Sequence, residues 1–241
     1  MPVAYDLSGK TAVVTGGAKG IGEAIAEKLS NSNAKVHVWD LNAGKLNSVT
    51  YTKVDVTSPD EIKLAVDNLV TQNTRVDILV NDAGYLGPAM KFEARDPSDW
   101  QRIVWVNLIG TMQVTQALLP HMRRWGGRRI GNMASLAGKE GLAGIAAYSG
   151  ASAGALSFSK ALSREVADAG IHINCVAPGP IDTDMIHDLG PDVVKAMIND
   201  SPMKRLGKAE EVAHMVAWLC SDASDFNSGA VFDMSGGRAR Y

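Results

Sequence analysis

The sequence predicts an α/β chain built on one doubly wound parallel sheet of about seven strands, with helices on both faces. Three observations predict it. Strand-like and helix-like segments alternate along the whole chain. A short β-branched run, Thr11–Thr15, passes through glycines 16, 17, 20 and 22 into a helical stretch in which Ile21, Ile25 and Leu29 stack four apart. No internal repeat, low-complexity tract or linker divides the 241 residues, so residues 1–241 are expected to form a single domain.

The strand Thr11–Thr15 and the helix Gly20–Ser32 enclose Gly16-Gly17-Ala18-Lys19-Gly20-Ile21-Gly22. Glycine bends the backbone tightly and admits a pyrophosphate where a Cβ would block it. The helix start offers unpaired N–H groups and the positive end of its dipole. The spacing is Gly-x-x-x-Gly-x-Gly, not the commoner Gly-x-Gly-x-x-Gly, and by itself it also fits a tight turn with no ligand. The second strand, Lys35–Trp39, ends in Asp40. An acid about 20 positions after such a turn accepts ribose hydroxyls and repels a 2′-phosphate, which favours NAD over NADP against a weaker opposing pull from Lys19.

The third strand, Thr50–Val54, is followed by Asp55-Val56, where a carboxylate could reach an adenine amino group or serve as a loop or capping residue before helix Pro59–Thr71. Strand Val76–Val80 leads to Asn81-Asp82-Ala83-Gly84, whose small residues let backbone approach the flank of a cofactor. The long helix Pro97–Trp125 holds Asn107 among Val104, Val106, Leu108 and Ile109, where a polar group needs partners and reads as a structural bridge or a catalytic group. Strand Arg128–Met133 runs to Ser135, and Tyr148 opens the next helix, Ala147–Ala169. A serine at a strand end and a tyrosine on the adjoining helix can converge on one substrate oxygen. Tyrosine then gives or takes a proton and serine holds the oxygen.

Strand Ile171–Val176 precedes a loop-plus-helix insertion, Thr183 to Lys204, rich in Met and aliphatic residues, which reads either as an adaptable apolar lid or as a peripheral helix packed on the domain edge. Helix Ala209–Ser221 and strand Ala230–Asp233 close the chain, and Arg238, Arg240 and Tyr241 read as a solvated basic terminus.

Composition narrows the classes further. A net charge of −2 argues against nucleic acid as the main partner. No apolar run approaches the roughly 20 residues of a membrane span, and Met1 to Asp6 lacks a signal pattern. Cys175 and Cys220 sit in apolar surroundings and read as buried small hydrophobes, which places the chain in the reducing cytoplasm. The histidines at 37, 121, 172, 187 and 214 show no metal-ligand spacing, so no metal is expected.

Together these motifs resemble the short-chain dehydrogenase/reductase family over essentially the whole chain. Thr15 to Gly22 resembles its cofactor turn, Asp40 its NAD-selecting acid, and Asp55 with Val56 its adenine contact. Asn81-x-Ala83-Gly84 resembles the motif after the fourth strand, with Asp82 where asparagine is more usual. Asn107, Ser135 and Tyr148 match the catalytic asparagine, serine and tyrosine at the family's spacing, and Pro178-Gly179 with Ile181 to Thr183 matches the turn that holds the nicotinamide amide. The resemblance implies a single Rossmann-type domain, NAD(P), and a homotetramer that uses the helices of Asn107 and Tyr148. It also implies that the 183–204 segment closes over the substrate. So short a lid fits a small or medium secondary alcohol or ketone, namely a polyol, a sugar acid or a β-ketoacyl group.

One position departs from the family's Tyr-x-x-x-Lys: the chain reads Tyr148-Ser149-Gly150-Ala151-Ser152. Residues four apart share a helix face, so Ser152 takes the place of an ammonium that would lower the tyrosine pKa and bind the nicotinamide ribose. Such a neighbour shifts a pKa by about 1–3 units. Lys160 is about 18 Å farther along the axis, and Lys139 is on a loop after Ser135. Two expectations follow: a dehydrogenase or ketoreductase slowed or rewired at 152, or a nucleotide-binding scaffold or sensor with little turnover. An engineered substitution would give the same sequence.

Overall fold

In a computed structural model of the protein, which describes residues 5–124 and 128–241, seven parallel strands form one sheet in the order β3-β2-β1-β4-β5-β6-β7. They are β1 (Thr11–Thr15), β2 (Lys35–Asp40), β3 (Thr50–Lys53), β4 (Ile78–Asn81), β5 (Arg128–Met133), β6 (Ile171–Pro178) and β7 (Val231–Met234). The expected strand Val76–Val80 is found at Ile78–Asn81, two residues later at its start, with Asp77 N donating to Thr11 O just ahead of it. The order reverses between β1 and β4, which opens a crevice at the strands' C-terminal ends.

Helices α1 (Gly20–Asn31) and α9 (Ala209–Leu219) cover one face, sealing Ile25, Leu29, Val36, Val38, Val80 and Val216. Helices α2 (Pro59–Thr71), α4 (Gly110–Arg123) and α6 (Ala146–Glu165) cover the other, over Val13, Ile62, Val114, Leu118 and Ile130. Local signals start several of these helices. Ser58 accepts from Glu61 N ahead of Pro59, and Asp96 accepts from Ser98 N ahead of Pro97, which opens α3 (Pro97–Val104).

The long helix expected over Pro97–Trp125 is not uniform. A π turn, Trp105–Ile109, separates α3 from α4, and its end at Trp125 lies outside the described residues. Helix 97–123 as a whole is long and apolar enough by composition to cross a membrane, contrary to the reading of the sequence. It is a core helix: Val114, Leu118 and Met122 are fully buried against the sheet.

The short helix α5 (Leu136–Glu140) escaped the sequence reading, and the loop-plus-helix insertion expected over 183–204 holds two helices, α7 (Asp184–His187) and α8 (Pro191–Asp200). The C-terminal residues are not merely solvated. Arg238 reaches Glu140 and Asp200, and Gly236 O accepts from Met203 N, so the tail ties the insertion to α5. Both cysteines are free and buried, and burial pushes their thiols up to about 11 for Cys175 and about 12 for Cys220.

At the opposite, N-terminal edge of the strands lies a buried ion pair. Arg128 Nη1 meets Asp77 Oδ1 at 2.7 Å, with each side chain at most 2% exposed. Asp77 also accepts from Arg75 Nε and, through Oδ2, from Thr11 N.

Candidate functional site

The crevice at the sheet's switch point is a cleft of about 390 Å³. Gly16, Lys19, Gly20 and Ile21 form its floor, Asp40, Asp55 and Val56 one end, and Tyr148, Pro178 and Thr183 the other. Ala83, Gly84 and Asn107 line its middle. Gly16 has φ +69°, and a Cβ there would stand 2.6 Å from Ala83 Cα. A Cβ on Gly22 would stand 2.6 Å from Asp82 Oδ2. Glycine at these positions therefore keeps the turn pressed against the β4 loop, with helix α1 aimed at the space above it. Thr15 Oγ1 locks the same junction by accepting from Asp82 N and Ala83 N.

Asp40 is oriented by two backbone donors, Ala18 N at 3.1 Å and Asn42 N at 2.9 Å. Asp55 lines the cleft, and its Oδ1 accepts from Thr57 N and Thr57 Oγ1 in the loop before α2. Gly110 lets the long helix approach Val56, since a Cβ would meet Val56 Cγ2 at 2.8 Å. Asn107 sits in the π turn. Its amide donates to Tyr85 O and Ile103 O, both at 2.7 Å, and its Oδ1 accepts from Tyr85 N. The π turn leaves Ile103 O for this side chain to occupy, and the two bonds to Tyr85 pin the β4 loop over the cleft.

Ser135 is the N-cap of α5: its Oγ accepts from Ala137 N at 3.1 Å. That bond uses an oxygen lone pair and leaves the hydroxyl proton to donate elsewhere. Ser135 and Ser152 both present hydroxyls to the Tyr148 phenol. Ser152 is itself buried, pressed by α5 so closely that a Cβ on Gly138 would lie 2.8 Å from Ser152 Cβ.

Compared with known proteins, residues 16–239 match the family model described as enoyl-(acyl carrier protein) reductase. The chain is 34% identical to a 3-oxoacyl-[acyl-carrier-protein] reductase of Chlamydia trachomatis, over 97% of this chain and 98% of the relative. It is 32% identical to an NAD(+) 2-dehydro-3-deoxy-L-rhamnonate dehydrogenase of a Sphingomonas species, over 97% of each chain. An aldohexose dehydrogenase of Thermoplasma acidophilum superposes with a TM-score of 0.93 at 27% identity, over 99% of this chain and 97% of that one.

The chain belongs to the short-chain dehydrogenase/reductase family.

In this member, burial raises the Tyr148 phenol above its ordinary value of 10.0, and the Asp82 charge raises it further, against the lowering effect of the two serine hydroxyls. Among the described residues no ammonium offsets this. Lys139 lies not on a loop but in α5, where it is held at 3.1 Å by Asp233 and lies over the Tyr241 ring. Asp82 itself, set against α1 and the cleft, is pushed well above the usual carboxylate range by burial and by Asp40 nearby, despite a backbone hydrogen bond from Gly22.

Some expected site residues face elsewhere. Asn81 turns into the interior: its amide donates to Thr115 Oγ1 and to Asn132 Oδ1, while Asn132 donates to Ser159 Oγ. This polar chain crosses β4, β5 and α6 beneath the site. Gly179 backs onto Ser235, Gly22 lies under Asp82, and Ile181 is buried against Gly207. Of the 183–204 insertion, Thr183, Asp184 and Met185 reach the cleft, while His187 pairs with Asp182 on the outer side at 2.6 Å. The cleft also takes in Arg102, stacked 4.4 Å over the Tyr85 ring, which no motif flagged.

Proposed function

We propose that this protein is an NAD-dependent oxidoreductase that interconverts a secondary alcohol and a ketone. The observation that carries the reading is the juxtaposition, along one cleft, of a glycine turn under a helix N-terminus, a carboxylate at the ribose end, and a serine-tyrosine pair at the other end. The cradle fits a dinucleotide: side chains are missing where its diphosphate would lie. Gly16, Lys19, Gly20 and Ile21 would hold the diphosphate, Asp40 the adenosine ribose, Asp55 and Val56 the adenine edge, and Pro178 and Thr183 the nicotinamide end. The cofactor, when bound, supplies or accepts the hydride.

The chain's own residues handle the proton. Ser135, whose oxygen is engaged by Ala137 N–H, donates its hydroxyl to the substrate oxygen. Tyr148 gives a proton to that oxygen when a ketone is reduced and takes it back when an alcohol is oxidised. Asn107 holds the Tyr85 loop that forms the wall beside them. Met185 and Thr183 lie where a lid would cover the substrate. Relatives named for sugar acids and 3-oxoacyl groups make a polyol, a sugar acid or a 3-oxoacyl compound the first substrates to try.

With serine at 152 the proton step is slow in the oxidising direction near neutrality, because the raised phenol is almost wholly protonated there. The same observation favours a second reading, a nucleotide-binding protein with little turnover. Following absorbance at 340 nm over a panel of polyols, sugar acids and ketones decides between them. Tight NADH binding with no turnover on any substrate would leave only the second. Tyr148→Phe is expected to remove about 10²–10⁴-fold of whatever turnover is seen while leaving the NADH dissociation constant within about twofold of the parent. A matching loss of binding would count against the assigned role.

Cofactor choice rests on Asp40. NADH is expected to bind at least about tenfold more tightly than NADPH, because a 2′-phosphate would meet the carboxylate that Ala18 N and Asn42 N orient. Asp40→Ser should narrow that ratio, and fluorescence titration of both cofactors reads it. Equal affinities for the parent would refute the selection. We further propose, from the family resemblance, a homotetramer in the cytoplasm. Phe92 and Trp100 beside Leu108, with Ala147 and Gly150 of α6, give the helices of Asn107 and Tyr148 an open apolar groove for such contacts.

A further inference from the structure

We propose that dinucleotide binding to this chain is coupled to protonation of Asp82, whose carboxyl occupies the same helix N-terminus as the cofactor's diphosphate. The inference rests on the dinucleotide reading above and deepens it. Its ground is geometric. Asp82 lines the cleft directly after β4, and its carboxylate lies against Gly22, in the first turn of α1, so close that a Cβ there would stand 2.6 Å from Asp82 Oδ2, with the Gly22 N–H as its backbone donor. A helix N-terminus stabilises negative charge through a few unpaired N–H groups over its first turn. Here one of them is already committed to a side-chain anion. A diphosphate laid across Gly20 and Ile21 would be a second anion at the same place.

The groups that face Asp82 do little to neutralise it. From the end of β2, Asp40 adds negative charge, and from α6 the Tyr148 phenol is neutral and half-buried. From the glycine turn, Lys19 lines the cleft as a cation, but the diphosphate would draw on it too. Thr15 engages only the backbone N–H groups of Asp82 and Ala83. Across the cleft Asp184 adds a further carboxylate. A proton on Asp82 removes the conflict: the acid keeps a carbonyl oxygen for Gly22 N–H and gains an O–H donor.

The sign follows. Asp82 already holds its proton more tightly than an ordinary carboxyl, through burial first and the Asp40 charge after it. A nearby diphosphate tightens that hold, so cofactor affinity is full where Asp82 is neutral and falls as pH rises through the Asp82 titration of the free protein. Each unit by which the bound form's pKa exceeds the free form's corresponds to about a tenfold loss. The cofactor's own phosphates stay ionised throughout this range.

The test is a titration of the intact protein with NADH and, separately, with ADP-ribose, followed by tryptophan fluorescence from about pH 5.5 to 9.5. The expected result is affinity for both ligands falling about tenfold or more towards high pH, and nearly level in Asp82→Asn, which keeps the acceptor for Gly22 N–H but cannot ionise. A thermal melt at each pH establishes that parent and variant stay folded. A flat parent profile overturns the proposal while leaving the dinucleotide reading standing. Dependence seen with NADH but not with ADP-ribose also overturns it, since the diphosphate is common to both. Asp82→Asn with the parent's slope does the same. Failure to bind either ligand at any pH rejects the dinucleotide reading itself.

Discussion

Ser152→Lys is expected to raise the rate of alcohol oxidation near neutral pH by about 10- to 10³-fold and to move the rising limb of its pH profile to lower pH by about 1–3 units. The reason lies in the Tyr148 environment. The phenol is raised by burial and by the Asp82 charge, and only two hydroxyls act in the other direction. An ammonium one helical turn away stabilises the phenolate, and each unit of lowering increases the ionised fraction tenfold while pH stays below the pKa. Part of that gain is returned, because a less basic phenolate is a weaker base.

Gly138 packs against the Ser152 backbone and Cβ from the α5 side, so the lysine stem is expected to run along α6 towards Tyr148, one turn away. Initial rates over the pH range, with the alcohol that the parent handles best, measure the effect. A limb that stays in place, with a folded variant that binds NADH, would falsify the role given to position 152.

Asp77→Ala is expected to cost about 3–5 kcal/mol of folding stability, the usual range when one partner of a buried ion pair is removed. Arg128 is 1% exposed and its Nε and Nη2 already lack hydrogen-bond partners, so the substitution would leave a buried guanidinium with no counter-charge from Asp77. It would also strip Thr11 N of its side-chain acceptor, loosening the start of the central strand. Desolvation already lowers the Arg128 pKa against the stabilising pull of Asp77. Urea denaturation measures the loss. The double variant Asp77→Leu/Arg128→Met is expected to lose clearly less than Asp77→Ala, because it removes both charges together. A single-variant cost under about 1 kcal/mol would show that the pair matters little.

The sequence by itself determined the sheet, the alternation of its layers and most of the cleft. Buried strands are short β-branched runs, and helices repeat their apolar residues every three or four positions, so both are visible in local order. The glycine turn and Asp40 were legible for a related reason. Each needs one residue type at one place, a missing Cβ or a carboxylate, and such a demand survives as a fixed spacing. Ser152, four positions after Tyr148, was legible as a departure from the spacing that the resemblance leads one to expect.

Tertiary structure decided what lies between the motifs. The π turn at Trp105–Ile109 exists because Asn107 takes up the Ile103 carbonyl and the Tyr85 backbone, partners four and twenty-two positions away. Asn81 reads like its cleft-lining neighbours, yet it turns inward because Thr115 and Asn132, brought alongside by folding, satisfy its amide. The place of Ser135 as an N-cap needed the short helix α5, too brief to show a period. The raised state of Asp82 needed Gly22, Asp40 and burial assembled around it. Hydrogen bonds and desolvation act between residues distant in the chain, and local order carries no record of them until the chain has folded.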